Sequence, residues 1–421
     1  MSSIAPPSRR LRVLLISQWW PPEPDGSRGL PFARWMQSRG HDVTVLTGFP
    51  NYPTGRLYPG YKLKFFQWDE TEGVRVLRVP LYPNHDLSPS RRIVNYTSFA
   101  LAAAAIGMPM AGDVDVVYGL STPPTVAFPP FLNRIFRRVP YLFNVADLFP
   151  DAVLDSSMVA PGVKLDLIRT VTSEMCRTFY GHAEFVTSIS PGYSRILVER
   201  GLDPRRVKTI FNWVDEAAFR PLPRNEDLAA RLGLTGKFNF IYAGNFGGFQ
   251  GIDVIIRAAA LIKNHPDIQI ALVGSGMVEQ ELRKLAVDIG ATNVHFTGRL
   301  DQSEMPEIYP LADVLLVHLN ATSDYLRATV PSKTQVSLAV GRPMILAAEG
   351  DAADVVRASG AGLVVAPNSP AALAEAMMAM YQMHESEREA MAAAGRRYYL
   401  ETMSIDRGAH QIESLLLQAA R

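Results

Sequence analysis

A short apolar run that leads into a glycine-rich turn and then into a helix most constrains the fold of this chain. Residues 238–243 predict a strand, residues 244–251 contain four glycines, and residues 252–262 have helical periodicity. Glycines let a backbone approach a phosphate closely, and the amides and dipole of a helix start favour negative charge. The turn therefore suits an anion, although similar turns also simply join strand to helix in α/β proteins.

A second segment with the same order of strand, loop and helix lies near the N-terminus. Residues 11–18 predict a strand, followed by a loop rich in proline and glycine and a helix through Ala33 and Met36. Because 421 residues are more than a domain with a single hydrophobic core usually contains, we expect two α/β domains with mainly parallel sheets. The remaining predicted strands lie near 43–47, 74–79, 115–118, 140–145, 185–189 and 207–211, and then, after a linker at 216–225, near 268–273, 294–296, 313–317, 343–347 and 362–365, ahead of a helical tail from Pro370.

Composition narrows the class of protein. The chain is 48% hydrophobic and 20% charged, as globular proteins are, and its single cysteine, Cys176, excludes an intramolecular disulfide. Residues 1–10 form a polar start without an export signal, and we expect them to be a disordered tail. These features predict a cytoplasmic protein, and we expect no nucleic acid partner.

The net charge of +1 hides an asymmetry between the two halves. Residues 1–215 carry 24 Lys/Arg and 18 Asp/Glu, a net +6, whereas the remainder carries −5. A basic surface interleaved with aromatic residues suits an anionic membrane, although an ordinary solvated face explains it equally well. The basic residues concerned are Arg56, Lys62, Lys64, Arg91, Arg92, Arg134, Arg137 and Arg138.

An uncharged stretch at residues 99–110 raises the question of whether the chain crosses a membrane. Its 12 residues fall short of the roughly 20 needed to cross a bilayer. We therefore expect a buried core helix rather than a helix that lies in the membrane interface beside Arg91 and Arg92.

Several short motifs, taken in order, resemble the retaining glycosyltransferases of family four. Two examples are Leu46-Thr-Gly-Phe-Pro-Asn-Tyr-Pro-Thr-Gly55 and Val330-Pro-Ser-Lys-Thr-Gln335. The branch that the chain resembles most contains the L-fucosamine-type transferases of bacterial O-antigen and capsule synthesis. The resemblance covers residues 11–415, and its other motifs are residues 81–84, 146–151, 190–193, 212–215, 242–245 and 250–251.

The resemblance implies a GT-B fold with two Rossmann-like domains that face each other across a cleft. Residues 11–217 are then an acceptor-binding domain, residues 218–402 a domain that binds the nucleotide-sugar donor, and residues 403–421 a helix that crosses back to the first domain. Neither a metal nor a cofactor is implied. Protein cations and helix starts must then neutralise the diphosphate that leaves the sugar.

Residues 327–333 supply the leading cations. Arg327 and Lys333 carry charge, and Ser332 with Pro331 suits a helix N-terminus. We place Lys333 first among the candidate catalytic residues, although lysines usually lie on solvated surfaces. Arg327 is a candidate catalytic residue with it, and the donor-binding set that the resemblance predicts is Gly26, Ser27, Arg28, Gly244, Asn245, Gln250, Gly251, Gly274, Arg299, Ser332 and Gln335.

The chain departs from the family at two sites. Asn245 and Gln250 stand where the wider family has an arginine and a lysine against the diphosphate. Ala328 and Val336 stand at the positions of the paired glutamates that hold the donor sugar and the ribose. Gln335 is one candidate substitute for those glutamates, and Asp324 and Asp351 are others.

Asp147, the third candidate catalytic residue, and the candidate residues for the acceptor lie in the first half. Asp147 follows the predicted strand 140–145 at the strand end where parallel sheets place ligands, and a helix-capping role is its alternative. Ala146 replaces the histidine that much of the family has beside this aspartate. Glu23 contacts the acceptor or else shapes its own loop, and Asn51 and Tyr52 complete the acceptor set.

Together these features predict a retaining glycosyltransferase. We expect it to move an N-acetylated amino sugar from a UDP donor to a lipid-linked saccharide at the inner face of the plasma membrane. A sugar-nucleotide epimerase of the same architecture and a non-catalytic scaffold subunit that binds sugar nucleotides remain alternatives.

Overall fold

Two compact α/β units make up the chain. The computed structural model describes residues 9–23, 29–85, 88–154, 163–301, 303–320 and 322–421. Unit 1 comprises residues 1–212 together with residues 405–421, and unit 2 comprises residues 213–404. The expected disordered tail at residues 1–10 lies almost wholly outside the described residues.

Unit 1 is built on an eight-stranded sheet in the order β3-β4-β2-β1-β5-β6-β7-β8. All neighbours are parallel except the pair β3–β4. Strands β1, β2, β5 and β6 are mainly apolar and buried along almost their whole length because both faces of the sheet are covered. The strands are β1 (Arg12–Ser17), β2 (Asp42–Gly48), β3 (Gln67–Thr71), β4 (Val74–Val79), β5 (Val116–Leu120), β6 (Tyr141–Val145), β7 (Phe185–Ser188) and β8 (Val207–Thr209).

The helices of unit 1 cover this sheet. The longest apolar one runs without a break through Ser90–Met110, with a π-helical turn at Ala103–Gly107. The helices are α1 (Gly29–Ser38), α2 (Pro89–Ala102), α3 (Met108–Met110), α4 (Phe128–Arg137), α5 (Asp151–Leu154), α6 (Val163–Gly181) and α7 (Pro191–Glu199).

Unit 2 has a six-stranded parallel sheet in the order β11-β10-β9-β12-β13-β14. This is the Rossmann order, with the connection reversing direction between β9 and β12. Its strands are β9 (Phe238–Ala243), β10 (Ile268–Val273), β11 (Val294–Gly298), β12 (Val314–His318), β13 (Met344–Ala347) and β14 (Gly362–Val365). Its helices are α8 (Glu226–Arg231), α9 (Ile252–Leu261), α10 (Glu279–Asp288), α11 (Met305–Ile308), α12 (Asp324–Arg327), α13 (Ser332–Val340), α14 (Asp351–Ser359), α15 (Pro370–Gln382) and α16 (Glu385–Thr402).

The last helix, α17 (Ile405–Ala419), belongs to unit 1, as the resemblance implies. It packs on α1, where Glu413 accepts hydrogen bonds from Arg39 and from the buried ring of His41. Trp35 donates to Asp406 nearby. A buried carboxylate held by two basic groups fixes the position of α17 on the unit.

Two sequence expectations need correction. The edge strand β3 was missed because its sequence, Gln67–Thr71, is polar and lacks the apolar pattern of a buried strand. The expected buried core helix at residues 99–110 is only partly buried. It belongs to the longer helix Ser90–Met110, whose length and composition would allow it to cross a membrane, but this is weak evidence because core helices pass the same test. Phe99 and Ala103 do pack into the core, while Leu101 is 60% exposed.

Candidate functional site

The sheet order places a ligand site in each unit. Parallel α/β sheets bind ligands at the carboxyl ends of the strands, where the direction of connection reverses. In unit 2 this point lies between β9 and β12, so the loop at residues 244–251 and the residues after His318 border it. Asn320 joins the two segments, since its backbone N–H donates to Phe249 O and its side chain to Gly248 O.

Lys333 reaches into this edge from the first turn of α13. Its Nζ lies 5.1 Å from the centroid of the Tyr242 ring. Burial lowers its pKa to about 8, and no carboxylate among the described residues pairs with it. The N-cap of α13 is Pro331, which offers no side-chain cap, so the helix start leaves backbone donors open. A largely buried cation, unpaired among the described residues and beside an uncapped helix start, forms a site for an anion.

Two glycines allow the loop to lie against its neighbours. Gly244 has φ +145, and a Cβ there would sit 2.4 Å from Lys333 Cε, so only glycine lets the lysine stem cross the backbone. Gly251 has φ +53 and caps α9, and its Cβ would lie 2.1 Å from the ring of His318. Gly274, which follows β10, lies directly against the carbonyl of Gly244.

Five buried polar atoms on these segments have no hydrogen-bond partner among the described residues. Unpaired buried groups cost about 1–3 kcal/mol each, so a cluster of them favours a ligand-binding site. His318 is neutral at physiological pH because burial lowers its pKa to about 4. The five atoms are Gln250 Oε1, His318 Nδ1, Asn320 Oδ1, Thr334 Oγ1 and Gln335 Nε2.

The other residues predicted to bind the donor contribute less to this site. Arg327 is exposed and pairs with Asp324 at 3.2 Å and with Glu349 at 3.4 Å, so two carboxylates already offset its charge. Ser332 is the exposed first residue of α13, and Arg299 is exposed after β11. The side chain of Asn245 and the amide of Gln250 both lie beside Gly247. Ala328 and Val336, which the resemblance places at the positions of the family's glutamates, are both buried.

In unit 1 the carboxylate of Glu23 ties two loops together. Its Oε1 accepts from the backbone N–H groups of Asn51 at 2.7 Å and Tyr52 at 2.8 Å, and its Oε2 accepts from that of Trp20 at 3.1 Å. Burial raises the pKa of Glu23 to about 7, although these three donors and nearby Arg78 favour the anion. Because both oxygens are engaged, the contacts favour the loop-shaping role over contact with an acceptor.

Asn51 and Tyr52 lie in the same region. Asn51 is buried, and its Oδ1 accepts from Asn95 on α2 at 3.3 Å. Tyr52 forms a partly exposed aromatic cluster with Trp19, at 4.8 Å between ring centroids, and with His85 at 4.6 Å. Aromatic faces of this kind suit the apolar face of a ligand.

Asp147 lies after β6, at the carboxyl edge of the sheet in unit 1. Its carboxylate accepts a hydrogen bond from the hydroxyl of Thr122, which follows β5. Tyr96 follows Asn95 on α2. Burial raises the pKa of Tyr96, Arg92 opposes that shift, and the charges of Tyr52 and Asp147 add to it. Tyr96 therefore lies within electrostatic range of Tyr52, a predicted acceptor residue, and of Asp147, a predicted catalytic residue.

Three predicted residues, Gly26, Ser27 and Arg28, lie outside the described residues. Within the described part of the chain, no group of three or more His, Cys, Asp or Glu side chains is placed to hold a metal ion. Sequence reasoning missed His318, Asn320 and Tyr96. His318 and Asn320 could have been found, because each is a polar residue at or just after the end of a predicted parallel strand. Tyr96 lies on a helix and carries no such signal.

Comparison with known proteins identifies both units. Residues 28–213 match the model for the glycosyl transferase 4-like domain, and residues 224–398 match that for glycosyl transferases group 1. The putative colanic acid biosynthesis glycosyl transferase WcaI of Escherichia coli K12 is 26% identical over 325 residues, which cover 75% of this chain and 77% of WcaI. The probable glycosyltransferase WbjE of Pseudomonas aeruginosa is 27% identical over 264 residues, covering 62% of this chain and 64% of WbjE.

Solved structures show the same fold. Anabaena HepE, solved in complex with UDP and glucose, superposes with a TM-score of 0.70 at 14% identity, covering 97% of this chain and 100% of HepE. Sucrose-phosphate synthase from Thermosynechococcus elongatus gives 0.69 at 18% identity, covering 97% of this chain and 99% of that one. With one glycosyltransferase model on each Rossmann-like unit, the two together spanning most of the chain, the protein is identified as a glycosyltransferase of the GT-B fold.

Proposed function

We propose that this protein is a metal-independent retaining glycosyltransferase that moves an N-acetylated amino sugar from a UDP donor to a lipid-linked saccharide in surface polysaccharide synthesis. The observation that carries the proposal is Lys333, a largely buried cation at the uncapped start of α13 that has no partner in the described part of the chain. The name of WcaI, which refers to colanic acid biosynthesis, supports the polysaccharide context. The choice of UDP and of an amino sugar rests on the motifs that resemble the L-fucosamine-type branch.

The physical role of Lys333 is to stabilise the leaving group. When the bond from the sugar to the diphosphate breaks, negative charge grows on the phosphate oxygens, and a preplaced cation in a poorly solvated site stabilises that charge more than water does. The helix start of α13 acts in the same direction. Without these groups, a donor site lacking a metal would leave the departing diphosphate uncompensated.

The transfer itself balances without a protein nucleophile. The acceptor hydroxyl oxygen bonds to the anomeric carbon, the bond from that carbon to the phosphate oxygen breaks, and the departing phosphate takes up the hydroxyl proton. The protein contributes position and charge stabilisation. In this scheme unit 1 holds the acceptor, with Asp147 and Tyr96 as its polar contacts and the Trp19–Tyr52–His85 cluster against the sugar face.

The acceptor also sets the location. A saccharide carried on a membrane lipid requires the enzyme to work at a bilayer, so we place the protein in the cytoplasm, on the inner face of the plasma membrane. The basic balance of residues 1–215, at +6, supports this placement.

The test is transfer of labelled sugar from UDP-sugars to a polyprenyl-diphosphate-linked saccharide in the presence of a chelator. We expect product with retained anomeric configuration, and a loss of at least about tenfold in kcat/KM for Lys333→Met, as for a charge-assisted contact. Lys263→Ala, which changes an exposed lysine of unit 2, is the matched control and should leave the rate unchanged. Donor binding without turnover would favour the scaffold alternative, and an altered donor sugar without acceptor would favour the epimerase.

A further inference from the structure

The exposed face of the helix Ser90–Met110 lacks the charged side chains that such a face normally carries in a soluble protein. No charged residue occurs from Ile93 to Met110, and the exposed side chains Ile93, Val94 and Leu101 recur at helical spacing. Only a third of the helix's most apolar window is buried in the protein. The inward face is occupied by Phe99, which is fully buried. The outward face is therefore apolar without a core to cover it.

The neighbouring helix α4 extends this face. It packs against α2 and presents Ile135, 50% exposed, and Phe136, 79% exposed. We call Ile93, Val94, Leu101, Ile135 and Phe136 the apolar face. Five large exposed apolar side chains thus lie on two helices that pack against each other, whereas protein surfaces ordinarily show such residues scattered singly.

Positive charge borders the apolar face. Arg91 is exposed at the start of α2, and Arg137 and Arg138 are exposed at the end of α4. Neither helix contains an acidic residue. Apolar side chains bordered by arginine, without acidic groups, match an anionic bilayer, whose headgroups attract cations and whose acyl region accepts apolar side chains.

The same helix reaches the acceptor region from its other side. Asn95 donates to Asn51 and to Tyr82 O and accepts from Gln18 at 2.7 Å, and Tyr96 lies within electrostatic range of Asp147. A lipid-bound acceptor would thus meet its polar contacts one helix thickness away from the apolar face.

We propose that the apolar face docks this protein onto an anionic lipid bilayer, with Leu101 and Phe136 inserted among the lipids and Arg91, Arg137 and Arg138 at the headgroups. This deepens the proposed function, on which it rests only for the lipid-linked nature of the acceptor. Docking of this kind holds the helices in the plane of the interface and does not require them to span the membrane.

The experiment is co-sedimentation of the full chain with vesicles of phosphatidylcholine alone and with added phosphatidylglycerol. Leu101→Glu with Phe136→Glu is compared with Leu261→Glu with Val287→Glu in unit 2. The two pairs add the same charge at side chains of equal exposure, 60% for both leucines and 79% for Phe136 and Val287. We expect wild type and the unit 2 pair to bind anionic vesicles, and the apolar-face pair to lose at least about tenfold in partitioning.

A second pair of substitutions tests the cations. Arg137→Gln with Arg138→Gln should weaken binding to anionic vesicles by about fivefold per charge and leave binding to neutral vesicles unchanged. Equal vesicle binding by the two glutamate pairs, or none by the wild type, would overturn the proposal. So would sedimentation velocity showing that the apolar face instead joins two copies of the chain.

Calorimetric titration with UDP separates this proposal from the proposed function. The apolar-face pair should bind UDP as the wild type does, which also shows that unit 2 is folded, while unchanged thermal unfolding reports on unit 1. Absence of UDP binding in every protein, with vesicle binding intact, would refute the UDP-dependent function but leave the docking face standing.

Discussion

Replacement of Lys333 by methionine should make the unliganded protein more stable at neutral pH. Methionine keeps the apolar stem beside Tyr242 and removes the buried charge. Burial lowers the pKa of Lys333 from 10.5 to about 8. At 1.36 kcal/mol per pKa unit, this difference corresponds to a penalty of about 3 kcal/mol on the folded state.

The pH dependence has a definite sign. Below about pH 8 the amine is charged in both the folded and the unfolded chain, so the folded state carries the whole penalty. Between about pH 8 and 10.5 the unfolded chain binds more protons, so the free energy of unfolding rises with pH. The stability advantage of Lys333→Met should therefore shrink across that window and vanish above it.

Urea unfolding of both proteins over this pH range is the assay, and their difference cancels the other titrating groups. Diphosphate binding should restore the charge on Lys333, so UDP binding at pH 9 should take up about 0.9 proton, measured from binding enthalpies in buffers of different ionisation enthalpy. Lys333→Met should take up none at this site. A stability difference that does not change with pH, or equal proton uptake by the two proteins, would refute the assignment.

Further predictions concern other parts of the two sites. Gly251→Ala should abolish UDP binding and lower thermal stability more than Gly236→Ala, which shares a positive φ but has open space around its Cβ, and equal effects would exclude a role for contact with His318. Glu23→Ala should destabilise unit 1 by at least about 3 kcal/mol in urea, because three backbone donors lose their acceptor, yet leave UDP binding unchanged. Activity in excess chelator should match that without it, and rescue of lost activity by magnesium would contradict a metal-independent mechanism.

The fold followed from sequence because its main signals are local. Each buried parallel strand is a short apolar run, and the glycine turns mark where strand passes to helix. β3 escaped this reasoning because an edge strand exposes a polar sequence. The helix 89–110 was predicted only from its uncharged stretch at residues 99–110. The helix is longer and includes polar residues such as Asn95, which forms hydrogen bonds inside unit 1.

The candidate site was only partly accessible to sequence reasoning. Lys333 stood out by its motif, but its approach to Tyr242 and Gly244 depends on how α13 enters the sheet edge. The ion pair of Arg327 with Glu349 joins residues 22 positions apart. Such contacts arise from tertiary packing, which no local pattern encodes.

The most direct test of the account is calorimetric titration of the purified protein with UDP, GDP and ADP in the presence of a chelator. We predict selective micromolar binding of UDP, weakened at least about tenfold by Lys333→Met and unchanged by Lys263→Ala. Absence of binding by all three nucleotides, or UDP binding that is indifferent to Lys333→Met, would contradict a donor site centred on Lys333.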